Sequence, residues 1–309
     1  AAQSASAAPG RRLEDFSAEA AAVEGCPNRY CDRLQRDGIV HVRRILDPEL
    51  CARLEAYVGE TLKRRKLEGG KWFGDVHGYG DPGYQDRGKR WDMKLELTDD
   101  VRSALTSVLG RLQGFLEGLQ PSWQLCELAA MCTFPGDPGQ PVHADTHHIF
   151  DQQVITIFFA LHDIAPGRGP TRFYAGSHRD SEVLMGYKRR DESTAVHATM
   201  KCGDCVIMDS RILHCGTANE SDDHRFLFYM SWMPPVRRPQ GSTNTILEEY
   251  EDRFYLRTWR DWAPVGSRID FGRKREEVAA AGEGEEEDSD TERPAAAAPR
   301  QSAGRPAGG

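Results

Sequence analysis

Residues 140 to 149 read QPVHADTHHI, with three histidines and an aspartate within six positions. His143 and Asp145 are two residues apart, so on an extended segment both side chains project to the same side and can grip one ion. His147 shares that side if the strand continues, whereas His148 does not. A neutral imidazole with a carboxylate suits a borderline divalent metal, but two ligands are too few for tight binding. A third must come from elsewhere in the chain.

The remaining histidines are His41, His77, His162, His178, His197, His214 and His224. His214 ends the strand-like DCVIMDSRILH and precedes the turn-like CGTANES, a position at a barrel mouth, which favours it modestly over His178 or His197. Eleven residues further on, Arg225 enters the apolar run RFLFYM. A guanidinium directed into a barrel needs a carboxylate or phosphate partner, because an unpaired buried charge is too costly. Beside a half-open metal site it points to an anionic co-substrate. Two histidines, one carboxylate and open coordination positions make the facial triad of non-haem Fe(II) oxygenases.

In this order, QPVHADT, GPTRFYAGSHR, GDCVIMDSRILHCGTANES and HRFLFYMSW resemble the phytanoyl-CoA dioxygenase family of Fe(II)/2-oxoglutarate-dependent oxygenases. The resemblance runs from about residue 33, at RLQRDGIVHVRRILDPEL, to about residue 235. It implies a double-stranded β-helix (jelly-roll, cupin-like) core, with Fe(II) held by His143, Asp145 and His214 and the distal carboxylate of 2-oxoglutarate taken by Arg225. It further implies oxidative decarboxylation by dioxygen to succinate and CO2, hydroxylation of a C–H bond of a small or medium-sized organic substrate, and ascorbate as a reductant. Family members often carry a hydroxyl residue two positions after the distal histidine as a further 2-oxoglutarate contact. Gly216 stands there in this chain, and Thr217 or Thr156 is the expected replacement. The family's PGSH turn is AGSH here, at Ala175 to His178. The carboxylate of Asp145 disfavours the halogenating variant of this chemistry.

Weaker readings attach to other residues. His147 and His148 are expected around the metal or on the pocket wall, and His178 in its turn. Gln140 either lines the approach to the metal or is a solvated loop residue. Arg87, Arg90 and Lys94 either attract an acidic substrate or form a solvated face. Trp72, Tyr79, Tyr84 and Trp91 either wall the pocket or pack their own loop. The competing functions are a catalytically inactive jelly-roll protein that binds metal or ligand, and a zinc hydrolase, in which Arg225 would have no purpose.

These residues need elements to hold them. Asp47 is a good N-cap, Pro48 suits a first helical position, and Leu50, Leu54, Val58 and Leu62 recur at helical spacing. A second helix starts at Thr98, with Val101, Leu105, Val108, Leu109, Leu112 and Leu116 as its stripe. Between them EGGKWFGDVHGYGDPGYQDRGKRW has no clean period, and a long loop of this kind is expected to cover a site. From residue 123, WQLCELAAMCTF, QVITIFFALHDI, PTRFYAG, STAVHATM, DCVIMDS and RFLFYMSWM are short β-type runs without intervening helices. They predict a mainly β fold, a sandwich or barrel over about 123–235, preceded by an α-helical part.

The expected organisation is a disordered segment over 1–26, one domain over 27–271, and a disordered acidic, Ala/Gly-rich tail over 272–309. Of the net charge of −8, residues 276 to 309 carry six units, so the rest is nearly balanced and no basic stripe for nucleic acid is expected. No uninterrupted apolar run suits a bilayer. Eight cysteines, several in strand-like runs, suit reduced thiols in a cytoplasmic setting, and the lone CGDC pair is a poor zinc site. AAQSASAAPGRR resembles the remnant of a transit peptide or a disordered start, and the closing AGG differs from a peroxisomal address. A small-molecule substrate and a monomer or weak oligomer complete the expectation.

Overall fold

The structure is a computed structural model that describes residues 11–68, 72–73, 89–146, 153–184, 186, 188–235 and 245–269. His147, His148, Tyr79, Tyr84 and Arg87 lie outside the described residues, as do the expected tail and most of the long loop.

A 3-10 turn over Leu13–Phe16 precedes β1 (Ser17–Glu19), α1 (Ala20–Gly25), α2 (Pro27–Asp37), β2 (Ile39–Arg43) and α3 (Pro48–Arg65). Next come β3 (Arg90–Lys94), α4 (Asp99–Leu119), β4 (Gln124–Thr133) and β5 (Ile155–Ala160). The remaining elements used below are β6 (Thr171–Tyr174), β7 (Ala195–His197), β8 (Cys205–Asp209), β9 (His214–Gly216) and β10 (Arg225–Met233). The expected Asp47 cap forms, its Oδ1 accepting from the Glu49 amide at 2.8 Å, and Thr98, expected as the first residue of its helix, instead caps α4 by accepting from the Val101 amide at 3.3 Å.

Among the described residues, seven strands form one sheet in the order β1-β2-β8-β5-β10-β4-β3, and three form a second in the order β7-β6-β9. Each pairing of these described strands is antiparallel except that of β1 with β2. Alternation along the strands divides the large sheet into two faces. Ile157, Phe159, Phe228 and Met230 join Leu54, Val58, Leu105 and Leu112 in the helix-side core. Met208, Val206, Ala160 and Leu227 pack instead against Phe173 and Val196 of the small sheet. This is a jelly roll, whose interior lies between the sheets, with helices covering the outer face of the large one.

Two expectations change. Residues 13 to 26 are structured: Leu13, Phe16, Ala20 and Val23 are buried, and β1 pairs with β2. The alanine-rich run reads as low complexity, yet its few apolar side chains have the jelly-roll edge and α4 to pack on. Trp72 and Trp91 pack with the helix-side core rather than walling the interior: the Arg65 guanidinium lies over the Trp72 ring, and Trp91 meets Phe73 with centroids 4.9 Å apart.

Candidate active site

His143, Asp145 and His214 converge although 71 residues separate the first from the last. His143 and His214 exchange both backbone hydrogen bonds, at 2.9 and 2.8 Å, so a bridge extends the small sheet beside β9. The Asp145 and Thr146 amides both donate to the Ser210 carbonyl, and the Thr146 and Ser210 hydroxyls meet at 2.7 Å. The segment is thus sewn to the β8–β9 turn on both sides of Asp145. His143 Nε2 and His214 Nε2 lie 3.5 and 3.6 Å from the same oxygen, Oδ1 of Asp145.

The opposite ring nitrogens explain that aim. Nδ1 of His143 is 2.8 Å from the Pro141 carbonyl, and Nδ1 of His214 is 3.0 Å from the Ile212 carbonyl. A carbonyl only accepts, so each Nδ1 carries the hydrogen and each Nε2 presents a lone pair towards Asp145. This is the outer hydrogen bonding that orients imidazole ligands for a divalent ion. Burial opposes protonation of His143, but the hydrogen bond and charge of Asp145 outweigh it and hold that group above the ordinary imidazole value. Burial dominates at His214, which is lowered. Burial would raise Asp145, yet the two imidazoles hold it below the ordinary carboxylate value.

A second group with metal-binding residue types, Glu55, His162 and His224, differs in this respect. His162 Nε2 accepts the Phe226 amide at 2.9 Å, and His224 Nε2 lies 2.9 Å from Glu55. One imidazole lone pair is thereby held by the main chain.

Arg225 opens β10 and is 1% exposed. Its Nη1 donates to the Gly169 carbonyl and its Nη2 to Thr133 Oγ1 at 3.0 Å, while the buried Nε has no partner. Among the described residues no carboxylate forms an ion pair with it, although the Asp137 charge reaches it. Burial, reinforced by the neighbouring Arg90 charge, pushes its pKa down to about 9. A buried guanidinium with a nitrogen left over is a receptor for an anion.

Arg90 is the residue that sequence reasoning misplaced. Arg90 and Arg225 sit opposite Thr133 from either side of β4, so both side chains enter the interior. Arg90 is 2% exposed, pairs with Asp137 at 2.7 Å, and donates to Gln140 Oε1 at 3.1 Å. It therefore belongs to neither a solvated face nor a surface funnel. Gln140 Oε1 also accepts the Gly216 amide at 3.0 Å, which makes Gln140 a bridge between β3 and β9. Asp137 sits in the turn PGDPG, and nothing in that stretch signals a buried acid.

Thr156 and Thr217 occupy different settings. Thr156 points into the interior, with its hydroxyl 2.9 Å from that of Ser231, while the Thr217 hydroxyl donates to the Pro170 carbonyl at 2.7 Å. No described bond draws either towards Arg225. His178 donates from Nε2 to the Gln35 carbonyl at 3.0 Å and so ties its turn to the end of α2.

The chain belongs to the phytanoyl-CoA dioxygenase family: residues 34–227 match the profile described as Phytanoyl-CoA dioxygenase (PhyH). It is 35% identical over 142 residues to the iron/alpha-ketoglutarate-dependent dioxygenase okaE of Penicillium ochrochloron, covering 42% of this chain and 44% of the relative. It is 26% identical over 170 residues to the dioxygenase FrzG of Cladobotryum sp, covering 50% of this chain and 54% of the relative. The matches thus span about half the length of these relatives. Among solved structures, the non-heme alpha ketoglutarate dependent epimerase SnoN from nogalamycin biosynthesis shares the fold at a TM-score of 0.53 and 22% identity, over 69% of this chain and 82% of that one.

Proposed function

We propose that this protein is an Fe(II)/2-oxoglutarate-dependent dioxygenase that oxidises a small or medium-sized organic molecule, most simply by hydroxylating a C–H bond. The observation that carries the reading is the shared interior of two half-finished receptors. One is a pair of histidines with an aspartate, whose Nε2 atoms face one carboxylate oxygen, and the other is a buried arginine with no ion pair among the described residues.

The residues present fit both groups. His143, Asp145 and His214 would hold the metal facially and leave positions open. Arg225 would take the distal carboxylate of 2-oxoglutarate, for which its Nε is available. Iron and 2-oxoglutarate, when bound, supply with dioxygen the oxidising chemistry and release succinate and CO2. The chain's own part is positioning. The Pro141 and Ile212 carbonyls hold both rings in the Nδ1–H form when neutral, so that in this form the Nε2 lone pairs face the metal. Thr133 and Gly169 fix the Arg225 fork, and burial around it strengthens its attraction for a dicarboxylate. Arg90, already neutralised by Asp137, adds a second guanidinium to the same wall next to Gly216.

The test is anaerobic addition of Fe(II) and 2-oxoglutarate with a scan for their charge-transfer band, followed by oxygen and assay of succinate. A band and succinate release are expected. Their absence, with a known oxygenase responding in parallel, rejects the reading. Arg225→Ala is expected to weaken 2-oxoglutarate binding while keeping iron; loss of iron with 2-oxoglutarate affinity retained would reject its assigned role.

A further inference from the structure

The interior face of β3 carries Arg90, Asp92 and Lys94, an unusual set for a strand between two packed layers. Asp92 is 4% exposed. Its Oδ1 accepts from the Tyr229 hydroxyl at 2.8 Å, and its Oδ2 from the Thr245 hydroxyl at 2.9 Å. Both donors are neutral, and among the described residues no lysine, arginine or histidine comes within ion-pair distance of it. Each carboxylate oxygen keeps a further lone pair.

The two interior arginines are matched. Arg90 has Asp137. On the reading above, the dication has Asp145 and the two negative charges of 2-oxoglutarate, and Arg225 balances what those leave over. Asp92 has no ion pair among the described residues and faces the same space as Asp145, whose like charge reaches it, while the Lys94 charge two positions along the strand acts on it only through space. Glu127 lies on the same inner face two register steps along, where it accepts from Ser231, so the wall beside Asp92 is acidic and rich in hydroxyls. Burial, offset only in part by the Tyr229 and Thr245 hydroxyls and the Lys94 charge, pushes Asp92 up to about 6. Near neutral pH the carboxylate is then charged, dry and without an ion pair among the described residues, a state that a cation stabilises and a neutral donor does not.

We propose that Asp92, braced by Tyr229 and Thr245, determines substrate specificity by receiving a protonated amine of the substrate. The proposal rests on the dioxygenase reading for the identity of the ligand as substrate. A purely structural role for Asp92 predicts no discrimination among ligands by charge.

The test uses the full chain loaded with Zn(II) and 2-oxoglutarate, with n-hexylamine and 1-hexanol as probes of equal length, at pH 7.5. Dissociation constants are read by saturation-transfer NMR. The ammonium is expected to bind at least tenfold more tightly than the alcohol. Asp92→Asn is expected to bring the two within about twofold of each other, and Asp92→Glu to restore part of the preference. Equal binding of the two probes by wild type, or a preference that survives Asp92→Asn, overturns the proposal. If Asp92→Asn does not fold, 13C-aspartate-labelled wild type decides: one buried carboxyl resonance is expected to move with hexylamine and not with hexanol, and no movement overturns the proposal. Absence of the Fe(II)/2-oxoglutarate band would reject the dioxygenase reading separately, since these binding measurements need no turnover.

Discussion

A side-chain carbon built on Gly216 would stand 2.5 Å from Nη1 of Arg90, closer than any real contact allows. The glycine two positions after His214 is therefore the space that the Arg90 guanidinium fills. Gly216→Ser would put a hydroxyl where family members often have one, but at the expense of Arg90. We expect this variant to lose about 2 kcal/mol of stability in urea and to bind 2-oxoglutarate roughly tenfold more weakly. Unchanged affinity would mean that a serine can share the position with Arg90.

The pair of Arg90 with Asp137 makes a separate prediction. Both side chains are 2% exposed, so removing one partner leaves a buried charge alone. Asp137→Ala should cost about 3–5 kcal/mol, read as a shift in the urea midpoint at constant slope. The double change Arg90→Met with Asp137→Leu should recover much of that loss. A midpoint shift below about 1 kcal/mol in the single variant would show that Arg90 finds another counter-charge.

Arg225→Lys keeps the charge and loses the fork. Lysine cannot bond Thr133 and Gly169 while also presenting two donors to a carboxylate, so 2-oxoglutarate affinity should fall about tenfold to a hundredfold. Cobalt(II) binding, followed by its visible spectrum, should change by less than about threefold.

Metal binding should depend on pH through His143. Its proton is held above the ordinary imidazole value by Asp145, and a metal must displace it. Affinity should therefore decline as pH falls from above about 6.5, with one proton released per metal bound in that range. Asp145→Ala should weaken cobalt(II) binding by at least about a hundredfold and lower the pH at which the decline begins.

His178 sets a pH term in stability. Its Nδ1 is buried without a partner, and burial holds its pKa below the ordinary value. The group is depressed in the folded state, so its contribution is fully present above about 6.5 and is lost as pH falls towards the folded value. Urea midpoints measured from pH 7.5 to 5 should fall by at most about 1.4 kcal/mol per pH unit from this source. His178→Asn should flatten that slope.

How much of this was legible follows from the physics of each stretch. The pattern His-x-Asp speaks for itself because two residues of extended chain put both groups on one side. His214 and Arg225 were legible through their neighbours, a turn after one and an apolar run after the other. β3 was not. Its sequence, RWDMK, alternates in the usual way but with polarity reversed: Trp91 and Met93 face the helices, while Arg90 and Asp92 face the cup. In one sequence alone, alternating charges read as a surface, and only a site that needs charge inside inverts the rule. The parallel pairing of β1 with β2 was equally hidden, since three residues carry no period.

The two carbonyls behind His143 and His214 place part of the site beyond the reach of ordinary mutation. Every amino acid brings a carbonyl, so replacing Pro141 or Ile212 changes a side chain and leaves the acceptor in place. Ring orientation is inherited from the path of the main chain. The surroundings of the metal group can therefore drift in sequence, towards new substrates, while the direction in which the two imidazoles point stays the same.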